Sequence, residues 1–171
     1  MSRLIAAGAV AMVLLAGCGE SARQKAAKLH QKEALHAAAI AARARKEAAA
    51  EYTTCKSQLG PLIHALADLE GHLQVGMNHS EYTQRVGDVK VAYNEIPFKS
   101  LKLRCLRAGT QAEKALNDYL AASTYWSGCI ESLACADSTE KRVLQAKWAG
   151  AGTDLVSAEA RMAAVKMPVA R

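Results

Sequence analysis

The chain has 171 residues, with 22 Lys and Arg against 16 Asp and Glu, a net charge of +6. Hydrophobic residues make up 51% but aromatics only 5%, so one domain core of ordinary size is affordable, built mainly from aliphatic and alanine side chains. The positive excess is small and dispersed, which argues against a nucleic-acid surface and favours anionic headgroups or wall polymers as charged neighbours.

Met1-Ser2-Arg3 is a short basic start, and Leu4 to Gly17 follow as an unbroken run of apolar or small residues. A membrane-spanning helix needs roughly 20 predominantly apolar residues; this run is shorter and suits the hydrophobic region of a secretory signal peptide. It ends in Leu15-Ala16-Gly17-Cys18, which resembles the lipobox of bacterial lipoprotein precursors. The resemblance implies that residues 1–17 are a signal peptide and that cleavage leaves Cys18 first, its thiol carrying a diacylglyceryl group. A single acyl chain holds a protein to a bilayer only marginally, whereas several chains hold it lastingly. The expected membrane partnership is therefore a lipid anchor at Cys18 without a transmembrane helix. Gly19 stands where an aspartate would direct retention at the inner membrane of a two-membrane bacterium. The expected address is extracytoplasmic, on the cell membrane or outer membrane. Without residues 1–17, which hold one Arg and no acid, 21 basic side chains face 16 acidic ones, a net +5.

Residues 20–51 contain 13 alanines and no Gly or Pro. Ala, Lys, Arg, Glu and Gln are the strongest helix formers, so the segment is expected to be helical. Its larger apolar residues, Leu29, Leu35 and Ile40, do not sustain a heptad seam. Residues 18–51 therefore read as a lipidated helical stalk, about 50 Å long at 1.5 Å per residue, or as a partly frayed tether serving the same spacing role.

From Tyr52 the pattern changes. Tyr52, Cys55, Leu59, Leu62, Leu66, Leu69 and Leu73 step by three and four, one apolar helix face. The phase survives Gly60-Pro61, which predicts a kink rather than an end. After "GMNHSEY", with Asn78 or Ser80 as cap, Tyr82, Val86, Val89, Tyr93 and Ile96 share a second face, and Pro97 ends it. A third face holds Ala112, Leu116, Tyr119, Ser123, Trp126 and Ile130. It either extends back through Cys105 with Gly109 internal, or starts afresh with Thr110 and Glu113 as a capping box. Asp137 and Glu140 have capping-box spacing ahead of a final face of Leu144, Trp148, Ala151, Leu155, Ala158, Met162 and Val165. Gly150 and Gly152 weaken that helix by roughly 1 kcal/mol each relative to Ala. No period-two strand pattern is present. The expectation is an all-α fold: a long N-terminal stalk helix, then residues 52–171 as an antiparallel bundle of about four helices.

Besides Cys18 the chain has Cys55, Cys105, Cys129 and Cys135. An even number in an exported chain reads as two disulfides. "CIESLAC" favours Cys129–Cys135 as a small loop at a helix end, which leaves Cys55–Cys105. No cysteine pair has zinc spacing, and the histidines at 30, 36, 64, 72 and 79 are scattered, so no metal or cofactor is expected.

Nothing marks an enzyme: the chain has no G-x-S-x-G, no H-E-x-x-H and no phosphate-binding glycine loop. His64 and His72 beside the Leu62–Leu73 face read as partly buried structural histidines. Lys99, Lys102, Arg104 and Arg107, with no acid between Glu95 and Glu113, form a basic run that would bind a phosphate-bearing headgroup or wall polymer, or serve as a solvated face. Tyr125-Trp126 and Trp148 read as bulky core elements, or as the lining of a groove between the last two helices. Finally, "CLRAGTQAEKALNDYL" followed by "QAKW" resembles the cysteine-containing helical family of exported lysozyme inhibitors in its order Cys, Thr-x-x-Glu, Asn-x-Tyr, Gln-x-x-Trp. It lacks that family's Cys soon after Thr-x-x-Glu and its Arg-Asp-x-x-Cys ending. The leading expectation is a non-enzymatic binding or structural module at the cell envelope; the resemblance implies an inhibitor of a wall-degrading enzyme as the alternative, with an exported enzyme that carries no recognisable motif as the third reading.

Overall fold

A computed structural model describes residues 21–132 and 137–168, with the backbone alone at Asp137. Among them are four α-helices, α1 (Ala22–Val75), α2 (His79–Asn94), α3 (Leu103–Ser132) and α4 (Asp137–Ala164), with a 3-10 turn at Phe98–Ser100 and no strand. The all-α expectation holds. The chain divides into two units, Met1–Ala39 and Ile40–Arg171.

In the first unit, α1 opens with a capping box that the sequence reading missed. The Gln24 N–H donates to Ser21 Oγ at 3.3 Å while the Ser21 N–H donates to Gln24 Oε1 at 3.1 Å. Every described side chain of this unit is exposed, and Leu29 and Leu35 are 57% and 66% exposed. Propensity and local pairs such as His30–Glu33 (3.6 Å) support the helix.

The second unit holds the core. From α1 it takes Cys55, Leu59, Leu62, Leu66 and Leu69, from α2 Tyr82, Val86 and Val89, from α3 Cys105, Ala108, Ala112, Ala115, Leu116, Tyr119 and Ala122, and from α4 Leu144, Ala151, Leu155 and Ala158. The core reaches further toward the N-terminus than expected, since Ala48 is buried too. No charged side chain is buried among the described residues. Pro61 sits inside α1 without ending it. The helix stops instead at Gly76, whose φ of 104° is the left-handed conformation glycine adopts freely. Its N–H reaches back to His72 O at 3.1 Å, the single bond of an αL cap. Asn78, not Ser80, caps α2, accepting from the Glu81 N–H at 3.0 Å.

Pairwise contacts fix the directions. Arg85–Asp68 (2.9 Å) sets α2 antiparallel to α1. Tyr93–Glu113 (2.8 Å) together with Tyr82–Tyr119 (2.8 Å) sets α3 antiparallel to α2. Arg104 against Ala164, with Asp118 against Gly150, sets α4 antiparallel to α3. α3 and α4 make the closest backbone pairing; the buried alanines on both helices are what allow it, because a short side chain lets two axes approach. α3 runs unbroken from 103 to 132 with Gly109 internal and buried, which settles the one-helix alternative. Ile130, expected on the buried face, is 47% exposed, because the helix runs past the core at that end.

One disulfide has both ends among the described residues: Cys55–Cys105, joining α1 to α3 with a Cα–Cα distance of 5.6 Å. The expected pair of disulfides is thus seen as one. Cys129 is buried and disulfide-bonded, and Cys135 lies outside the described residues.

Candidate functional site

At the end of the bundle where α1 finishes and α2 begins, Tyr82 and both tryptophans of the chain gather. Tyr82, fully buried, places its ring 5.7 Å from both Trp126 and Trp148, and the two indoles lie 5.9 Å apart. His79 meets Trp126 edge-on at 5.3 Å, and its Nε2 pairs with Ser127 Oγ at 2.9 Å. These centroid spacings and tilted planes are the favoured geometry of aromatic pairs. The Tyr82 hydroxyl donates to Tyr119 O at 2.8 Å. The indole N–H of Trp148 lies near that hydroxyl without reaching hydrogen-bonding geometry and is buried with no partner among the described residues. Burial pushes the Tyr82 phenol well above its ordinary value, with the Trp148 N–H opposing weakly. Burial likewise raises Tyr119, helped by the negative charge of Glu70 and then by Tyr82.

Trp148 stands between two clefts. One, of about 240 Å³, is lined by Trp126, Glu140, Lys141, Leu144 and Trp148. The other, of about 250 Å³, lies among α1, α3 and α4 and draws on Glu70, Leu73, Gln74, Tyr119, Gln145 and Trp148. Tyr119 lines this second cleft, and its hydroxyl is buried with no hydrogen-bond partner among the described residues. Glu70, half-buried, lies flat against α4, so that a Cβ on Gly152 would stand 2.7 Å from its Oε1. Glycine at 152, read from sequence as a weak point in a helix, makes room for this carboxylate. No hydrogen bond or ion pair engages Glu70 among the described residues. Sequence spacing could flag Tyr119, Gln145 and Trp148, which occur in the quoted motifs, but nothing in it links them to Glu70 and Gln74 on α1.

The groove expected around Tyr125, Trp126 and Trp148 therefore exists in part. All three are partly buried and pack against the core, and the two tryptophans line its clefts. The basic run is divided by the fold. Arg104 donates to Ala164 O, and to Met167 O at 2.7 Å, closing the C-terminal end of α4, where free carbonyls favour a cation. Lys99, Lys102 and Arg107 are exposed, with no ion pair among the described residues. His64 is exposed rather than partly buried, since it falls one step off the Ile63–Leu66 face, while the half-buried His72 pairs with Asp68 at 3.8 Å. Thr110 is not a helix cap; inside α3 its hydroxyl donates to Leu106 O at 3.0 Å. Glu113 accepts instead from the Tyr93 hydroxyl, and that bond is the main cause raising the Tyr93 phenol.

Among the described residues no cluster of His, Cys, Asp and Glu could hold a metal ion, and no helix is long and apolar enough to cross a membrane. Cys18 lies outside the described residues. Comparison with protein-family models, with curated proteins and with solved structures finds no match.

Proposed function

We propose that this chain is a lipid-anchored bacterial envelope protein whose helical bundle acts outside the cytoplasm as a non-enzymatic binding or structural module. The observation that carries the reading is the buried Cys55–Cys105 disulfide downstream of the Leu15–Cys18 lipobox. Such a bond persists in the oxidising compartment to which a lipobox leads. The exposed, alanine-rich start of α1 supports a spacer role, since it offers no apolar face that packing would need.

The test is expression of the full chain in a bacterium with a lipoprotein pathway, followed by mass spectrometry of the mature N-terminus. The expected product begins at Cys18, carries acyl mass on its thiol and partitions with membranes, whereas Cys18→Ala is left unprocessed and unlipidated. A mature chain beginning at another residue, or an unmodified Cys18, overturns the anchoring.

A further inference from the structure

We infer that the cleft between α1, α3 and α4 is a binding site for a small hydroxylated organic ammonium of amino-sugar size, held by Glu70, Gln74, Tyr119, Gln145 and Trp148. This deepens the binding-module reading by naming a ligand class, and it rests on that reading only for its biological purpose.

The lining selects the charge. In a chain with a net +6, this cleft contains one carboxylate and no Lys or Arg. An anion would meet Glu70 with nothing to neutralise it, while an ammonium would pair with it and gain from the electron-rich face of an indole. Among the described residues no cation pairs with Glu70. The Glu70 carboxylate lies against Gly152 of α4, where a Cβ would stand 2.7 Å from its Oε1.

The same lining selects hydroxyls. The side chains of Gln74 and Gln145 each offer a carbonyl acceptor and an NH₂ donor. The Tyr119 hydroxyl, on a residue with 0% exposure, has no hydrogen-bond partner among the described residues. A buried hydroxyl left unpaired is costly, so a group that reaches it gains more than an exposed contact would. Leu73 and Trp148 supply the apolar flank against which the C–H face of a ring packs. At about 250 Å³ the space suits a single ring, below the roughly 300–1,000 Å³ of sites for larger ligands.

The experiment titrates the full chain in detergent micelles with glucosamine, at mildly acidic pH so that the amine is protonated. Binding is followed by calorimetry and by the two tryptophan indole N–H resonances. Glucose and N-acetylglucosamine serve as the same ring without the charge. Saturable millimolar binding of glucosamine is expected, with the Trp148 signal moving and the neutral sugars at least about tenfold weaker. Glu70→Gln is expected to lose about tenfold or more, and Tyr119→Phe, which keeps the packed ring, several-fold. Asp118→Asn, a charge change on α3 against Gly150 and outside the cleft lining, is expected to bind as the parent does. Melting curves confirm that each variant is folded. No saturable glucosamine binding, equal binding of glucose, or full retention by a folded Glu70→Gln variant overturns the site. None of these outcomes bears on the mature N-terminus, so failure here and failure of the anchoring are read separately.

Discussion

Two phenols carry the largest electrostatic consequence of this fold. Tyr82 and Tyr119 are fully buried, and both hold their protons to higher pH than an exposed tyrosine, chiefly through desolvation. In the unfolded chain each ionises near pH 10. Above that pH the unfolded state has released protons that the folded state still binds, so stability falls as pH rises, by about 1.4 kcal/mol per pH unit for each group. Stability is therefore expected to be level from neutrality to about pH 9 and then to drop steeply, as read by urea unfolding at stepped pH. Tyr82→Phe removes one of the two buried-phenol contributions and makes the slope clearly shallower. It also costs about 1 kcal/mol at neutral pH, because the hydrogen bond to Tyr119 O is lost. A slope unchanged by Tyr82→Phe would show that this phenol is not desolvated in the folded protein.

Among the elements, α1 and α3 are bound both by packing and by a covalent link. Cys55 and Cys105 are separated by 50 residues in sequence, a loop long enough that closing it removes considerable freedom from the unfolded chain. The chain-entropy relation gives about 4 kcal/mol. Replacing both cysteines by alanine is expected to lower the melting temperature by roughly 10 °C while leaving the helical circular dichroism of the folded state intact. Leu59 packs over Gly109 one turn further along both helices, where a Cβ on the glycine would meet its side chain at 3.5 Å, so the two partners stay in register without the bond. A double variant that melts with the parent would place the stability of this pair in packing alone.

For the whole molecule, the question is how much of the chain the bundle requires. The described side chains from Ser21 to Arg43 are exposed, whereas Ala48 is buried. A chain beginning at Ile40 is therefore expected to melt cooperatively within about 2 °C of one beginning at Cys18. One beginning at Tyr52 gives up the turn that buries Ala48 and melts lower. Circular dichroism of the three chains checks both statements. A large loss on removing residues 18–39 would assign that segment a packing role and remove the support for a spacer.

The helix faces were legible in the sequence because burial along a helix has a period, and Leu59, Leu62, Leu66 and Leu69, or Tyr82, Val86 and Val89, display it residue by residue. The all-α class follows from the same signal. The cysteine assignment gave Cys55–Cys105 by elimination, since four cysteines allow few pairings. Whether Asn78 or Ser80 caps α2, and whether Gly109 breaks α3, was undecided by spacing, because both choices satisfy the local chemistry and packing chooses between them. The fate of the basic run was equally hidden. Arg104 is taken by carbonyls some 60 residues away, and no local pattern encodes a partner at that distance. The cleft shows this limit most clearly. Glu70, Tyr119 and Trp148 come from three helices, and the glycine that seats the carboxylate looks in sequence like a defect. Periodicity specifies which face of each helix is buried, but only the packed arrangement decides which exposed edges meet, and in this chain the candidate site lies where those edges meet.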